Sequence, residues 1–259
     1  MLTGNWTAIR ITAEDGVAVV TIDNPPVNAV SRALAEELTA AFDLISDLPD
    51  IRAVLLTGAG RVFCAGADIK GRAALAEPGA LPEHSRRTRE FFHSIRECAK
   101  PVICALNGPA LGSGMAIVAS CDILFAAENA SLGLPEIDVG LLGGCRHAMR
   151  LFGHSTLRRL MLTGYRVPAS ELYRLGIVEA CVAPDALLQA AMEVARAIAS
   201  KAPLATRLAK HTANTIEDMS LRDGYRYEQD MTAIISRTDD AKEAQRAFAE
   251  KRPPVFTGR

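Results

Sequence analysis

Two short apolar runs, each followed by a loop of small residues, constrain this 259-residue chain more than any other feature. Residues 52–57 lead into Phe63-Cys64-Ala65-Gly66-Ala67-Asp68-Ile69-Lys70, and residues 101–106 lead into Asn107-Gly108-Pro109-Ala110-Leu111-Gly112-Ser113-Gly114. Small residues let one backbone approach another group closely, and two such turns can aim N–H donors at a single oxygen. Apolar helical sequence follows the second loop, so the helix dipole adds to the pull of donors placed at its start.

The runs belong to an alternating pattern. Val17-Ala18-Val19-Val20-Thr21-Ile22 reads as a strand between turn signals at 14–16 and 23–26. A helix follows, with Ser31 as its N-cap and Leu34, Leu38, Ala41, Phe42 and Ile45 on one face; Glu36 and Glu37 stand early enough to favour its dipole. Further on, the pattern predicts strands at 52–57, 101–106 and 122–127, and helices at 89–98 and 113–120. Alternation of this kind argues for an α/β fold. Beyond residue 155 the strand signal fades, 177–182 being the last β candidate, and helices starting near Pro184, Pro203 and Ser220 fill the remainder. No Gly/Ser-rich linker sets this helical tail apart.

Composition excludes several classes. A net charge of −1 gives no global reason to bind nucleic acid or an anionic membrane, and Arg86-Arg87-Thr88-Arg89 lacks interleaved aromatics and reads as a solvated helix face. The six cysteines form no C-x-x-C pair, which predicts free thiols in a reducing compartment. The first residues lack a basic flank and a long apolar run, so a cytoplasmic protein is expected. Gly112-Ser113-Gly114 is a poor dinucleotide fingerprint, because Ile117 stands at the third glycine position.

The loops, with Pro25-Pro26-Val27-Asn28-Ala29 before them, Ser120-Cys121-Asp122 and Leu134-Pro135-Glu136 after them, and Phe248-Ala249-Glu250-Lys251-Arg252 near the end, resemble the crotonase superfamily of acyl-CoA enzymes. The resemblance implies a spiral of β-β-α turns over residues 1–195 and a helical trimerisation region over 196–259, assembled as a homotrimer or a dimer of trimers. It implies an acyl-CoA thioester as substrate, with coenzyme A part of that substrate, no separate cofactor and no metal. By analogy the N–H groups of Ala65 and Ser113 form an oxyanion hole, Ser113 replacing the more usual glycine. Ala67, Asp68, Ile69, Gly112, Gly144, Arg146, His147 and Lys251 are the implied substrate-binding residues, Lys251 toward a CoA phosphate.

Hydratases of this superfamily hold water between two glutamates. The motif puts Ala116 where the first belongs and Glu136 at the second, so Glu136 alone is left to carry a proton between carbons of an enoyl chain. That is isomerase logic. Asp138, two residues on, shares the pocket if the segment turns and faces away if it is extended; a structural or solvated role is expected. At 140–147, Arg146 and His147 replace a commoner small-residue sequence. Both could be first-turn helix residues facing solvent or a subunit contact, or one could line the acyl pocket, His147 supplying the missing acid by its near-neutral pKa or Arg146 binding a substrate carboxylate or ketone. The latter suits a ring-opening carbon–carbon hydrolase of a cyclic keto-acyl-CoA, and a catalytically silent CoA- or RNA-binding homologue is the non-enzyme alternative.

Overall fold

In the computed structural model, which describes residues 4–68 and 76–259, nine strands and ten α-helices are found among the described residues. The main sheet has the order β1 (Ile9–Glu14), β2 (Val17–Ile22), β3 (Ala53–Gly58), β4 (Val102–Leu106), β6 (Ile123–Ala127), β9 (Ala180–Val182). Only the β1–β2 pair is antiparallel; the other four pairings are parallel. A smaller sheet joins β5 (Ala110–Leu111), β7 (Ser131–Gly133) and β8 (Arg166–Pro168), with β5 and β7 parallel.

The central strands read as unbroken apolar runs because both of their faces are covered. Val54 and Leu56 of β3 face one core with Leu34, Leu38, Phe42 and Ile45 of α1 (Arg32–Asp47) and Phe91 and Ile95 of α2 (Ala80–Arg96). Ala53 and Leu55 face the other, against Leu187, Ala191, Ala195 and Ala199 of α7 (Leu187–Ala199), which recur every fourth residue. Ser31 caps α1 through a bond from the Leu34 N–H to its hydroxyl, 3.1 Å. Glu36 and Glu37 fall past the first turn of that helix and serve other ends. Glu37 accepts the backbone N–H groups of Thr7 and Ala8, fixing the approach to β1, and Glu36 pairs with Arg32 and Arg87.

Helices α3 (Ser113–Ala119), α4 (Cys145–Ala148), α5 (His154–Thr163) and α6 (Ala169–Arg174) lie between strands in the chain; α8 (Pro203–Ile216), α9 (Leu221–Ile235) and α10 (Asp239–Ala249) follow α7. Pro203 and Ser220 start α8 and α9 as expected, whereas Pro184 sits in the turn before α7. Lys210 of α8 is buried; it pairs with Asp122 at 2.8 Å and donates to the carbonyls of Ile95 and Lys100. Truncating Asp122 would leave the buried Lys210 ammonium without its counter-charge, at a cost of about 3–5 kcal/mol, so the contact fixes α8 to the sheet layer. Arg87 of the basic segment is spent on Glu36 and Glu83. All six cysteines are free thiols, and four are buried. No helix among the described residues is long and apolar enough to cross a membrane.

Candidate active site

Both loops leave the carboxyl ends of the adjacent parallel strands β3 and β4, where open α/β sheets place their ligands. Buried Asn28 shapes the first loop. Its amide donates to the carbonyls of Ala59 (3.0 Å) and Val62 (2.8 Å), and its Oδ1 accepts the Asn24 N–H (2.9 Å). Val30 then pairs with the loop: its N–H donates to the Gly66 carbonyl at 2.8 Å and its carbonyl accepts the Asp68 N–H at 3.0 Å. The two loops are joined directly through a Cys64–Ala110 bridge, with the Cys64 N–H donating to Pro109 and the Leu111 N–H donating to Cys64.

This pairing corrects one sequence expectation. The Ala65 N–H donates to the Val27 carbonyl at 3.0 Å and is not available to an oxyanion. Ala67, two residues on, has no hydrogen-bond partner for its N–H among the described residues, and neither has Ser113, whose N–H is in the first turn of α3 and cannot be satisfied within the helix. Ala67 and Ser113 line one cleft of about 850 Å³ between α1 and α2, together with Asp68, Ala35, Thr39 and Phe92.

The parallel β5–β7 pair brings the acid to the donors. Leu111 stands opposite Gly133, and the Gly112 N–H donates to the Gly133 carbonyl at 2.9 Å. The two chains therefore leave side by side, one into α3 with Ser113, the other into a 3-10 helix at Pro135–Val139 with Glu136. A Cβ added to Gly112 (φ +55°) would lie 2.5 Å from Glu136 Oε1, and one added to Gly143 would lie 3.6 Å away, so the carboxylate is packed between these glycines. Its Oε2 is buried with no hydrogen-bond partner, and burial pushes the Glu136 pKa above the usual carboxylate range. An orphaned buried acceptor costs about 1–3 kcal/mol and is tolerated chiefly where function requires it. Ala116, one turn into α3, is buried and brings no second carboxylate.

The remaining expectations separate. Asp138 faces away: a Cβ on Gly164, at the end of α5, would meet its carboxylate oxygens at 2.8 and 2.9 Å. Gly144 (φ +71°) caps α4 and packs on Leu134, where a Cβ would come within 2.5 Å of Leu134 Cδ2. Arg146 is exposed and pairs with Asp218 at 3.0 Å, so in this chain it turns away from the acid. His147 is half-buried, its ring 4.8 Å from that of Phe92. Lys251 is exposed in the turn after α10, and among the described residues no side-chain hydrogen bond or ion pair engages it. Ile69 lies outside the described residues. The supporting roles of Gly143 and Phe92 depend on contacts between distant segments; Asn28 stands in the Pro25–Ala29 landmark, but its bonds to Ala59 and Val62 are not readable from that landmark.

This arrangement can polarise a carbonyl with two backbone donors and move a proton beside it. The profile of the enoyl-CoA hydratase/isomerase family matches residues 12–259. The chain belongs to that family. It is 38% identical, over 93% of its length and 97% of the relative's, to a (7aS)-7a-methyl-1,5-dioxo-2,3,5,6,7,7a-hexahydro-1H-indene-carboxyl-CoA hydrolase of Mycobacterium tuberculosis. It is 35% identical to a probable mitochondrial enoyl-CoA hydratase of Dictyostelium discoideum, over 93% of this chain and 87% of that one. Among solved structures, an enoyl-CoA hydratase from Bacillus anthracis superposes with a TM-score of 0.92 at 34% identity, over 98% of this chain and 100% of that one. The family member is thus an acyl-CoA enzyme with the crotonase fold.

Proposed function

We propose that this family member forms the enolate of an acyl-CoA thioester between the N–H groups of Ala67 and Ser113, with Glu136 as its single acid/base. The observation that carries the reading is the buried, unpartnered Oε2 of Glu136 beside the Ser113 turn, with alanine at the position of a second acid. Glu136 takes a proton from the α-carbon of a β,γ-enoyl-CoA, the electron pair moves onto the thioester oxygen, and the same carboxyl returns the proton at the γ-carbon. No water is consumed. Each backbone donor is worth roughly 10²–10³ in rate, about 3–4 kcal/mol, so two suffice to make the enolate accessible to a carboxylate base. The raised Glu136 pKa brings the base closer to the substrate's acidity. Coenzyme A enters as part of the substrate, with no separate cofactor, and Asp68 and Gly112 border the thioester. The exposed Leu221, Phe248 and Val255 support self-association through the helical tail, as a homotrimer or a dimer of trimers.

A second reading shares the enolate. Carbon–carbon cleavage of a cyclic keto-acyl-CoA also delivers an electron pair to the thioester α-carbon, and one relative at 38% identity is named as a hydrolase of such a compound. The test of the shared step is incubation with α,β-enoyl, β,γ-enoyl and cyclic keto-acyl-CoAs, with products read by mass. Isomerisation without mass change is expected for the β,γ-enoyl substrate; turnover of none of the panel would refute an enolate-forming enzyme.

A further inference from the structure

Among the described residues two buried side-chain polar atoms lack a hydrogen-bond partner, Oε2 of Glu136 and Nε of Arg96. The first belongs to the site already described. The second stands at the end of α2, in a cluster that the enolate reading does not use. Nη2 of Arg96 donates to Glu217 Oε2 at 2.6 Å and to the Asn214 carbonyl at 3.1 Å, and the Asn214 amide returns a bond to the Arg96 carbonyl at 2.8 Å. Oε1 of Glu217 accepts Nε of Arg150 at 2.9 Å, and Nη1 of Arg150 donates to the Ala119 carbonyl. One carboxylate at the end of α8 thus ties the last turn of α2 to the turn after α4 and, through Arg150, to the last residue of α3.

Those three helices carry parts of the site. α2 brings Phe92 to the cleft wall, α3 begins at Ser113, and α4 is entered through Gly143 and Gly144, which pack on Glu136 and Leu134. α3 has only seven residues, so about 10 Å separates its two ends. It packs on α2 and α4 along its length, and a shift at Ala119 is carried to the Ser113 N–H as the movement of a rigid body. The side chains of Arg96, Arg150 and Glu217 are 28%, 22% and 26% exposed, against 62% and 76% for the neighbouring pair Arg146 and Asp218. The shared acid is therefore only weakly screened. Without it two like charges face each other and push α2 and α4 apart.

We infer that Glu217 is a positioning residue for the enolate step: through Arg150 and Arg96 it sets where α3 and α4 stand, and so where the Ser113 N–H and the Glu136 carboxylate meet the thioester. The inference rests on the enolate reading and extends it. Glu217 itself touches no reacting atom. A misplacement of about 1 Å can cost 10²-fold in rate. A backbone donor also acts more strongly on the enolate oxygen than on the ground-state carbonyl, so the loss falls on the rate and leaves affinity nearly unchanged. Because Asn214 belongs to α8 and Glu217 is its C-cap, the clasp gives the helical tail a hold on the site.

The experiment follows exchange of the α-protons of a saturated acyl-CoA in deuterated water by mass, with acyl-CoA affinity by calorimetry and folding by thermal denaturation. It compares wild type with Glu217→Gln, Glu217→Asp, Arg150→Gln, the double variant of Glu217→Gln with Arg150→Gln, and Asp218→Asn. Glu217→Gln should lower exchange at saturation by about 10- to 10²-fold with little change in affinity. Arg150→Gln should do the same, and the double variant should be no slower than the slower single one, because both changes break one link. Glu217→Asp keeps the charge and should recover part of the rate. Asp218→Asn breaks the exposed pair on the same turn and should exchange as wild type does. Undiminished exchange in folded Glu217→Gln would overturn the inference and leave the enolate reading intact. Losses that multiply in the double variant, or a loss that Asp218→Asn matches, would do likewise. Should Glu217→Gln fail to fold, undiminished exchange in both Glu217→Asp and Arg150→Gln would overturn it. No exchange by a wild-type protein that binds the acyl-CoA would overturn the enolate reading, and the inference with it.

Discussion

Glu136 holds its carboxylate in the space that a side chain on Gly112 would fill, Oε1 lying 2.5 Å from the position of that absent Cβ. The glycine is required twice over, since its φ of +55° is also a conformation that other residues adopt only under strain. Gly112→Ala should therefore displace the acid and lower turnover by at least about tenfold, with a stability loss of roughly 1–3 kcal/mol from backbone strain. Thermal denaturation and steady-state turnover on the same preparation check both effects.

The choice of donor in the first loop is decided by a structure with acyl-CoA bound. The thioester oxygen is expected at about 3 Å from the backbone nitrogens of Ala67 and Ser113. Ala65 should keep its bond to Val27. An oxygen seated on Ala65 instead would return the hole to the assignment that the sequence suggests.

Glu136→Gln should lower turnover by roughly 10²-fold or more with little change in acyl-CoA affinity, while Asp138→Asn, on the side facing Gly164, should cost far less. The same Gln variant should be the more stable protein at neutral pH. A carboxyl whose folded pKa is raised binds more protons folded than unfolded between the two pKa values, so its contribution is most favourable below the unfolded pKa and is lost as pH rises through the folded one. Denaturation of wild type and variant from acid to neutral pH should show the difference growing as pH rises across that window.

Ala116→Glu should raise hydration of an α,β-enoyl-CoA from a low baseline by supplying the second carboxylate. Because Ala116 is buried, the variant should also lose thermal stability. A folded variant with no gain would show that the surroundings of Glu136 no longer hold the hydratase water.

Much of this fold is legible in the sequence because its signals are local. Ser31 and the apolar face of α1 fix that helix, and strands buried on both faces announce themselves as apolar runs. β1 is missed although Ile9, Ile11 and Ala13 alternate with polar residues, because an edge strand with an exposed face is a weaker pattern than its buried neighbours. At the site, the acid is legible and its direction is not. Glu136 and Asp138 diverge because the segment is a 3-10 helix of three residues per turn, where i and i+2 do not share a face. Which N–H of the first loop remains free depends on the Val27 carbonyl, 38 residues before Ala65, and no local pattern reports that contact.

The most direct measurement is exchange of the α-protons of a saturated acyl-CoA in deuterated water, followed by mass, for wild type and Glu136→Gln. This step needs only the two backbone donors and one base, whatever the natural acyl group. Deuterium uptake at the α-carbon by wild type, reduced at least about 10²-fold in Glu136→Gln, is the expected result. Uptake that persists undiminished in Glu136→Gln, or no uptake by a wild-type protein that binds the acyl-CoA, would contradict enolate formation by Glu136.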